Sequence, residues 1–470
     1  MAKTALVWFR SDLRLADNPA LTAAIAKGLP VIGLYIEETD PDLRPLGGAS
    51  RWWLHHSLQS LQTDLAALGI PLELRHGPVA ETLATAVRDH AAAAIFWNRR
   101  YAPAQREHDA AIKATLQRDG IEVSSFGPNV LVEPWDIATG AGGPYGVYTP
   151  FWNALRQKDI SRPLVAPAPT GKPVTITEPI DAMYRQPRWA EKLGTHWQIG
   201  EAAAAAKLRA FLDGPLGDYP EGRDFPARDV TSRLSPHLAF GEISPRQLWH
   251  AAQVLNQRTP ASAGPVEKFL KELTWRDFNY HQLYHRPDIA REPMQPRFAG
   301  LPWRDPGAAL AAWQNGQTGI PIVDAGMREL WETGYMHNRV RMLTASLLAK
   351  NLLVDWRLGE AWFWDCLLDA DPANNPGNWQ WVAGSGLDAA PYFRIFNPVT
   401  QSNRFDASGA YIRRWVPELA RLPDDLIHDP AAAPGFVLRD AGITLGKTYP
   451  EPIIDLKTSR ERALAAFKAL

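Results

Sequence analysis

The chain is poor in cysteine, in net charge and in long apolar runs. Its single cysteine, Cys366, excludes an internal disulfide framework and any multi-cysteine metal or iron–sulfur cluster. A formal net charge of -1 offers no global attraction for nucleic acid, so such a contact would need a local basic patch. No apolar run is long enough to span a bilayer. The N-terminus enters an apolar strand pattern directly, without a basic start and cleavage site, so a cytoplasmic location is expected. No GxGxxG follows the first apolar run, and the usual dinucleotide fingerprint is therefore missing.

What is present is a chain of 470 residues, enough for two or three domains with ample core. Hydrophobic residues at 46% and charged residues at 21% fit a soluble globular protein. The 19 tryptophans are an excess. They suit stacking or electron transfer, and equally a large aromatic core.

Short apolar runs at Ala5–Phe9, Val31–Ile36, Leu72–Arg75, Ala94–Trp97 and Glu122–Ser125 read as buried strands. Helical patterns lie between them, at Asn18–Lys27, Ser50–Leu68, Val79–His90 and Pro103–Asp119. That alternation implies a parallel sheet covered on both faces. From Gly127 to about Gly200 the chain is rich in Pro and Gly and reads as a connector with short helices, such as Thr149–Asp159. Helical patterns dominate from Glu201 onward. The expected division is an α/β domain over residues 1–130, a connector over 131–200 and a helical domain over 201–470.

One run, Asp369 to Gly386 (DADPANNPGNWQWVAGSG), crowds acids, asparagines and tryptophans. Pro372, Pro376 and Gly377 are expected to stop it forming one plain helix. Polar groups and large rings on irregular backbone fit a site. A capped loop with Trp379 and Trp381 buried fits as well. Earlier, Ser235-Pro236 and Ser244-Pro245 each read as N-cap and first helical position. The hydroxyl-rich Thr231–Ser235 segment suits a phosphate, or two ordinary caps. In the helix Val266–Tyr280, Phe269, Glu272, Trp275 and Arg276 share a face. They could be an ion pair beside a core tryptophan or the floor of a polar, aromatic pocket. A further helix is expected over Met336–Trp356, with Asn338, Arg341 and Met342 on one face and Leu343, Leu347, Leu348 and Leu352 in the core. His337 reads as packed or hydrogen-bonded rather than as a base.

The Asp369 run resembles the flavin-binding loop of the DNA photolyase/cryptochrome family. The stretches TGYMHNRVRM from Thr333, APYFRIFNPVTQ from Ala390 and the opening VWFRSDLRLADNPAL are similar to the same family. GGASRWWLHHSL, WNRRYAP and GGPYGVYTPFW most resemble bacterial class III cyclobutane pyrimidine dimer photolyases. The resemblance implies a Rossmann-like α/β antenna domain followed by an all-α FAD-binding domain. It assigns FAD contacts to Tyr219, Thr231, Ser232, Arg233, Leu234, Ser235, Phe269, Arg341, Asp369, Ala370 and Asp371, and places Asn375 opposite the flavin N5. A neutral amide there favours an anionic reduced flavin, whereas plant cryptochromes typically carry Asp.

The implied reaction is light-driven repair of a flipped-out pyrimidine dimer in DNA by electron transfer from reduced FAD, without metal or general base. The alternative is a cryptochrome-type photoreceptor that repairs nothing. Lesion contacts fall to Glu272, Trp275, Asn338, Met342 and Trp381, electron transfer to Trp303, Trp356 and Trp379, and DNA contacts to Arg223, Arg276, Arg339, Arg394 and Gln401. The kinship implies a methenyltetrahydrofolate antenna near Trp53 and His56, with deazaflavin or FMN as alternatives. A monomer without a protein partner is the family expectation.

Overall fold

The computed structural model describes residues 3–127, 129–177, 180, 188–388 and 393–470. The start of the expected APYFRIFNPVTQ motif, Ala390 to Tyr392, lies outside them. The chain divides into two compact units, one of Met1–Gly217 with Ser232–Pro287, the other of Asp218–Thr231 with Asp288–Leu470.

The first unit opens with five strands, β1 (Thr4–Phe9), β2 (Val31–Glu38), β3 (Leu72–Gly77), β4 (Ala92–Asn98) and β5 (Glu122–Phe126), each within a few residues of its expected place. They pair in parallel in the order β3-β2-β1-β4-β5. Helices α1 (Pro19–Ala26), α2 (Gly48–Ala67), α3 (Val79–Asp89) and α4 (Pro103–Arg118) connect successive strands. Residues Ala5 to Phe9 are fully buried, which is why β1 reads as an unbroken apolar run instead of an alternating one. Helix α1 starts where Asn18 accepts the Leu21 N–H and Pro19 supplies a first residue with no N–H to satisfy. The strand order reverses between β1 and β4, the place where open α/β sheets usually bind ligands.

That crevice is built from charges that neutralise one another. Arg10 and Arg100 both pair with Asp109, at 3.3 and 2.7 Å, and Arg100 also meets Glu38 at 2.7 Å. Asn98 donates to Asp12 and to Asn18 at 2.6 and 2.7 Å. The remaining α-helices of this unit are α5 (Tyr148–Leu155), α6 (Glu201–Asp213), α8 (Ser235–Ala239), α9 (Pro245–Arg258) and α10 (Ala263–His285), with irregular chain over 129–147 and 156–177. Ser244 caps α9 in a full capping box with Gln247. Ser235 does not cap α8. It is already helical, behind Leu234.

The second unit contains α7 (Tyr219–Gly222), α11 (Gly307–Gln314), α12 (Pro321–Thr333), α13 (Asn338–Ser346), α14 (Trp356–Cys366), α15 (Asn374–Ala383), α16 (Pro398–Phe405), α17 (Ala410–Trp415), α18 (Gly435–Ala441) and α19 (Leu456–Lys468). Its core gathers Trp313, Leu330, Val340, Leu343, Trp356, Phe363, Trp379 and Tyr411. The single helix expected over Met336–Trp356 is not formed. A π-turn at Leu347–Asn351 ends it, Leu353 takes a left-handed conformation (φ 52°), and Trp356 begins the next helix behind the cap Asp355. Apolar spacing could not reveal this break, because Leu347, Leu348, Leu352 and Leu353 are buried on either side of it. The expected break at Pro376 and Gly377 is also absent. Both lie in the first turn of α15, where a proline removes an N–H that needs no intrahelical partner.

Among the described residues no helix is long and apolar enough to cross a membrane. None of their His, Cys, Asp and Glu side chains form a group that could hold a metal ion.

Candidate functional site

The Asp369 run begins with two carboxylates in different employment. Asp371, buried, accepts the backbone N–H groups of Ala373 and Asn374 at 2.8 and 2.5 Å and the Asn374 side-chain amide at 2.7 Å. It thereby starts α15. Asp369 receives a bidentate pair from Arg341 at 3.0 and 2.9 Å, while Arg341 Nε donates to the Met336 carbonyl at 2.7 Å. Burial opposes the guanidinium charge, but Asp369 more than compensates and raises its pKa. The pair is planar and fixed on both sides.

Asn375 is the most constrained of the group. Its Nδ2 donates to the Glu360 carbonyl at 3.0 Å and to the Glu360 carboxylate at 2.7 Å. Both amide protons are consumed and the orientation of the side chain is decided, leaving Oδ1 as the free acceptor. Glu360, buried on α14, was not singled out from the sequence. A lone Glu in GEAWFW carries no signal of its own, and only the packing of α14 on α15 brings it to Asn375.

The Thr231–Ser235 segment suits an anion for a reason other than capping. Arg233 has φ 49° and Leu234 is right-handed (φ -87°, ψ -4°). Successive residues of opposite hand turn their N–H groups into one concavity, the kind of nest that takes phosphate. Ser232 Oγ accepts weakly from the Leu234 N–H at 3.4 Å. Tyr219 is buried at the start of α7, with the Arg223 guanidinium 5.5 Å from its ring. In the first unit Phe269 packs against Phe211 with ring centroids 5.0 Å apart. Within the second unit, the fixed guanidinium–carboxylate pair and the neutral amide with its unspent carbonyl oxygen suit a flavin cofactor.

On α10, Glu272 and Trp275 are partly exposed. Lys268 lies 3.7 Å from Glu272, one turn back. Arg276, on the same helix, donates to the Asn129 carbonyl at 2.6 Å and lies 4.7 Å from the Tyr280 ring. Its charge is turned inward, which fits a structural clamp better than the DNA contact expected from the resemblance. In the second unit Asn338 is exposed on α13, and its amide lies 4.0 Å from the Met342 sulfur one turn on. Met342 and Trp381 are partly buried at the rim of the core.

Trp379 and Trp356 are buried, and Trp303 is partly exposed. Trp303 and Trp356 line one cavity of about 170 Å³. Trp379 packs on Gly359, where a Cβ would come within 2.2 Å of the indole. Trp356 and Gly359 belong to the same turn of α14. The rings in direct contact with Trp379 are Phe363 (5.0 Å) and Trp313 (6.2 Å). Among the basic residues Arg339 pairs with Asp224 at 2.9 Å and covers Phe405, whereas Arg394 is exposed over Phe396. Gln401 is partly exposed on α16.

The antenna expectation fares unevenly. Trp53 is fully enclosed: its Nε1 donates to Glu242 at 3.1 Å, and Trp197, His237 and Phe240 surround the ring. It has no face to offer a pigment. His56, partly exposed, pairs with Gln59 at 3.2 Å, and burial lowers its pKa.

A unit built on an α/β sheet and a helical unit with a fixed guanidinium–carboxylate pair and a neutral amide fit the class of two-part flavoproteins. Comparison with known proteins agrees. Residues 5–172 match the family described as DNA photolyase, and residues 269–469 match the FAD binding domain of DNA photolyase. A deoxyribodipyrimidine photo-lyase of Agrobacterium fabrum is 48% identical, over 99% of this chain and 98% of its own. Cryptochrome-1 of Arabidopsis thaliana is 37% identical, over 97% of this chain and 69% of its own. The crystal structure of a class III photolyase from Agrobacterium tumefaciens superposes with a TM-score of 0.93 at 48% identity, covering 100% of this chain and 98% of that one. The chain belongs to the DNA photolyase family, and its helical part carries that family's FAD-binding domain.

Proposed function

We propose that the protein is a deoxyribodipyrimidine photo-lyase that repairs cyclobutane pyrimidine dimers in DNA under light. FAD, when bound in its reduced, anionic form, would supply the light-driven, reversible one-electron chemistry that such repair needs. The chain's own residues hold, orient and insulate. The nest at Arg233 and Leu234, with Thr231, Ser232, Ser235 and Tyr219, is read as the pyrophosphate clamp. Arg341, Asp369, Ala370, Asp371 and Phe269 are read as ring and ribose contacts.

The observation that carries the reading is Asn375. Its amide protons are held by Glu360, so the neutral carbonyl oxygen is what it can present at the flavin N5. Such a group offers no acidic proton, and it suits an anionic reduced cofactor.

A dimer must leave the base stack to reach a buried cofactor. Glu272 and Asn338 are assigned hydrogen bonds to the base edges, Met342 packing against the dimer, and Trp275 and Trp381 the stacking faces. Base–aromatic stacking contributes about 1–3 kcal/mol per base. Arg223, Arg339, Arg394 and Gln401 are assigned the DNA backbone, with salt-sensitive binding as the consequence. Trp379, Trp356 and Trp303 form the proposed route for photoreduction. An antenna, methenyltetrahydrofolate in first place and deazaflavin or FMN otherwise, belongs with residues 1–130, and His56 is the accessible candidate contact. Residues 131–200 act as connector and 201–470 as the flavin- and lesion-binding part. A cytoplasmic monomer completes the proposal.

The test is repair itself. The reduced protein is mixed with DNA carrying one thymine dimer and lit with near-ultraviolet or blue light, beside a dark control. Loss of the dimer only in the light, over many turnovers, is the expected result. Photoreduction of bound flavin while the dimer persists would overturn the reading in favour of a cryptochrome-type photoreceptor.

A further inference from the structure

The Trp275 indole lies against a second ring. Tyr148, the first residue of α5, stacks on it with ring centroids 3.8 Å apart and planes 8° from parallel. So close and parallel a stack covers one face of the indole almost completely. Phe278 meets both rings edge-on, Trp275 at 5.6 Å and Tyr148 at 5.9 Å, and Phe151 on α5 packs against Phe278 in turn. The Tyr148 hydroxyl donates to the Lys271 carbonyl at 2.5 Å. Lys271 is one helical turn before Trp275, so the tyrosine is fastened to the very turn that carries the indole.

We propose that Tyr148 is a positioning residue for dimer recognition: it backs the Trp275 indole and fixes its plane, so that the uncovered face is pre-set to stack on an extruded base. This rests on the reading of Trp275 as a stacking platform. The physical reason is entropic. A tryptophan hinged at two torsions and partly exposed would lose freedom on binding, whereas one already held by a parallel ring on one face and steadied by a neighbouring edge-on ring loses little. Tyr148 never touches the base. It acts through Trp275, and it raises the contrast between dimer-containing and undamaged DNA without adding charge.

The experiment measures dark binding of the FAD-loaded protein, at fixed salt, to an oligonucleotide with one thymine dimer and to the same oligonucleotide undamaged. Y148L removes the ring, and Y148M takes its place should leucine fail to retain FAD. Either is expected to weaken dimer binding about two- to tenfold, the range of an aromatic pair, with undamaged binding unchanged. Y148F keeps the stack and is expected to restore the contrast to within about twofold of wild type. In a W275L background, Y148L is expected to have no further effect on the contrast, a result that a general loss of stability would not produce. A contrast unchanged in Y148L and Y148M, or an equal loss in the W275L background, overturns the proposal. A wild-type protein that makes no distinction between the two DNAs overturns the lesion reading of Trp275 instead.

Discussion

Two regions of this molecule use the same vocabulary of arginine, aspartate and asparagine and reach opposite ends. At the carboxyl ends of β1 and β4, Arg10, Arg100, Asp109, Glu38, Asp12 and Asn98 are buried or nearly so, and pair among themselves. In the helical unit, Arg341, Asp369, Asn375 and Asn338 are also fixed, yet they leave polar atoms unspent: the Asn375 carbonyl oxygen, and an exposed Asn338 amide. The first region pairs its charges internally at the usual ligand crevice of a doubly wound sheet, leaving Asn98 Oδ1 and the Nε atoms of Arg10 and Arg100 buried without a hydrogen bond, whereas the second keeps an exposed amide at Asn338. Composition does not separate a site from a structural network.

Breaking the closed region should be the costliest change. D109N leaves Arg10 and Arg100 facing each other without their shared carboxylate, and about 3–5 kcal/mol of stability should be lost, as for a buried pair deprived of one partner. Chemical denaturation of the FAD-loaded protein measures it. A loss under 1 kcal/mol would mean that water enters the crevice, and the contrast with the open region would weaken.

The open region should answer in cofactor rather than in fold. R341M frees Asp369, and FAD retention, read from flavin absorbance per protein after dilution, should fall about tenfold, equivalent to about 1.4 kcal/mol. Far-ultraviolet circular dichroism should not change. A variant that unfolds while holding its flavin would refute this division of labour.

A pH experiment sharpens the comparison inside the first unit. Burial pushes the Asp277 carboxyl up to about 7, against partial relief from Arg276 and from the Leu131 N–H that it accepts at 2.5 Å. A carboxyl with a raised folded pKa stabilises the fold fully below its unfolded pKa, and that contribution is lost as pH rises toward 7. Burial also holds His281 at about 4, a shift of the opposite sign whose contribution is lost as pH falls below the ordinary histidine value. D277N keeps an acceptor for Leu131 and removes only the titration. The stability difference between D277N and wild type should therefore move in favour of D277N between about pH 4 and 7. A flat difference would show that Asp277 is ionised throughout.

The smallest effect on stability should come from Arg394, exposed over Phe396. R394A should leave the melting temperature alone and reduce the salt slope of DNA binding by about one unit. An unchanged slope would remove Arg394 from the DNA-contact set.

The sequence, read alone, was already enough for the five strands, the helices between them and the helical second half. Each depends on apolar spacing that local chain geometry dictates, and β1 and α9 announce themselves by an apolar run and by the Ser244-Pro245 start. The flavin-compatible residues were legible through long motifs, not through their chemistry one by one. Three features were decided only by tertiary structure. The π-turn at Leu347–Asn351 breaks a helix whose side chains stay apolar throughout, so periodicity has nothing to report. Trp53, an expected antenna contact, is enclosed by Trp197, His237 and Phe240, residues distant in sequence. Glu360 and Tyr148 look ordinary in their own stretches, and acquire meaning only where packing sets them against Asn375 and Trp275. Local sequence indicates which elements form, because side-chain periodicity and helix-start residues follow the local chain geometry. Which polar atom is left over, and which ring is covered, depends on partners brought from far along the chain.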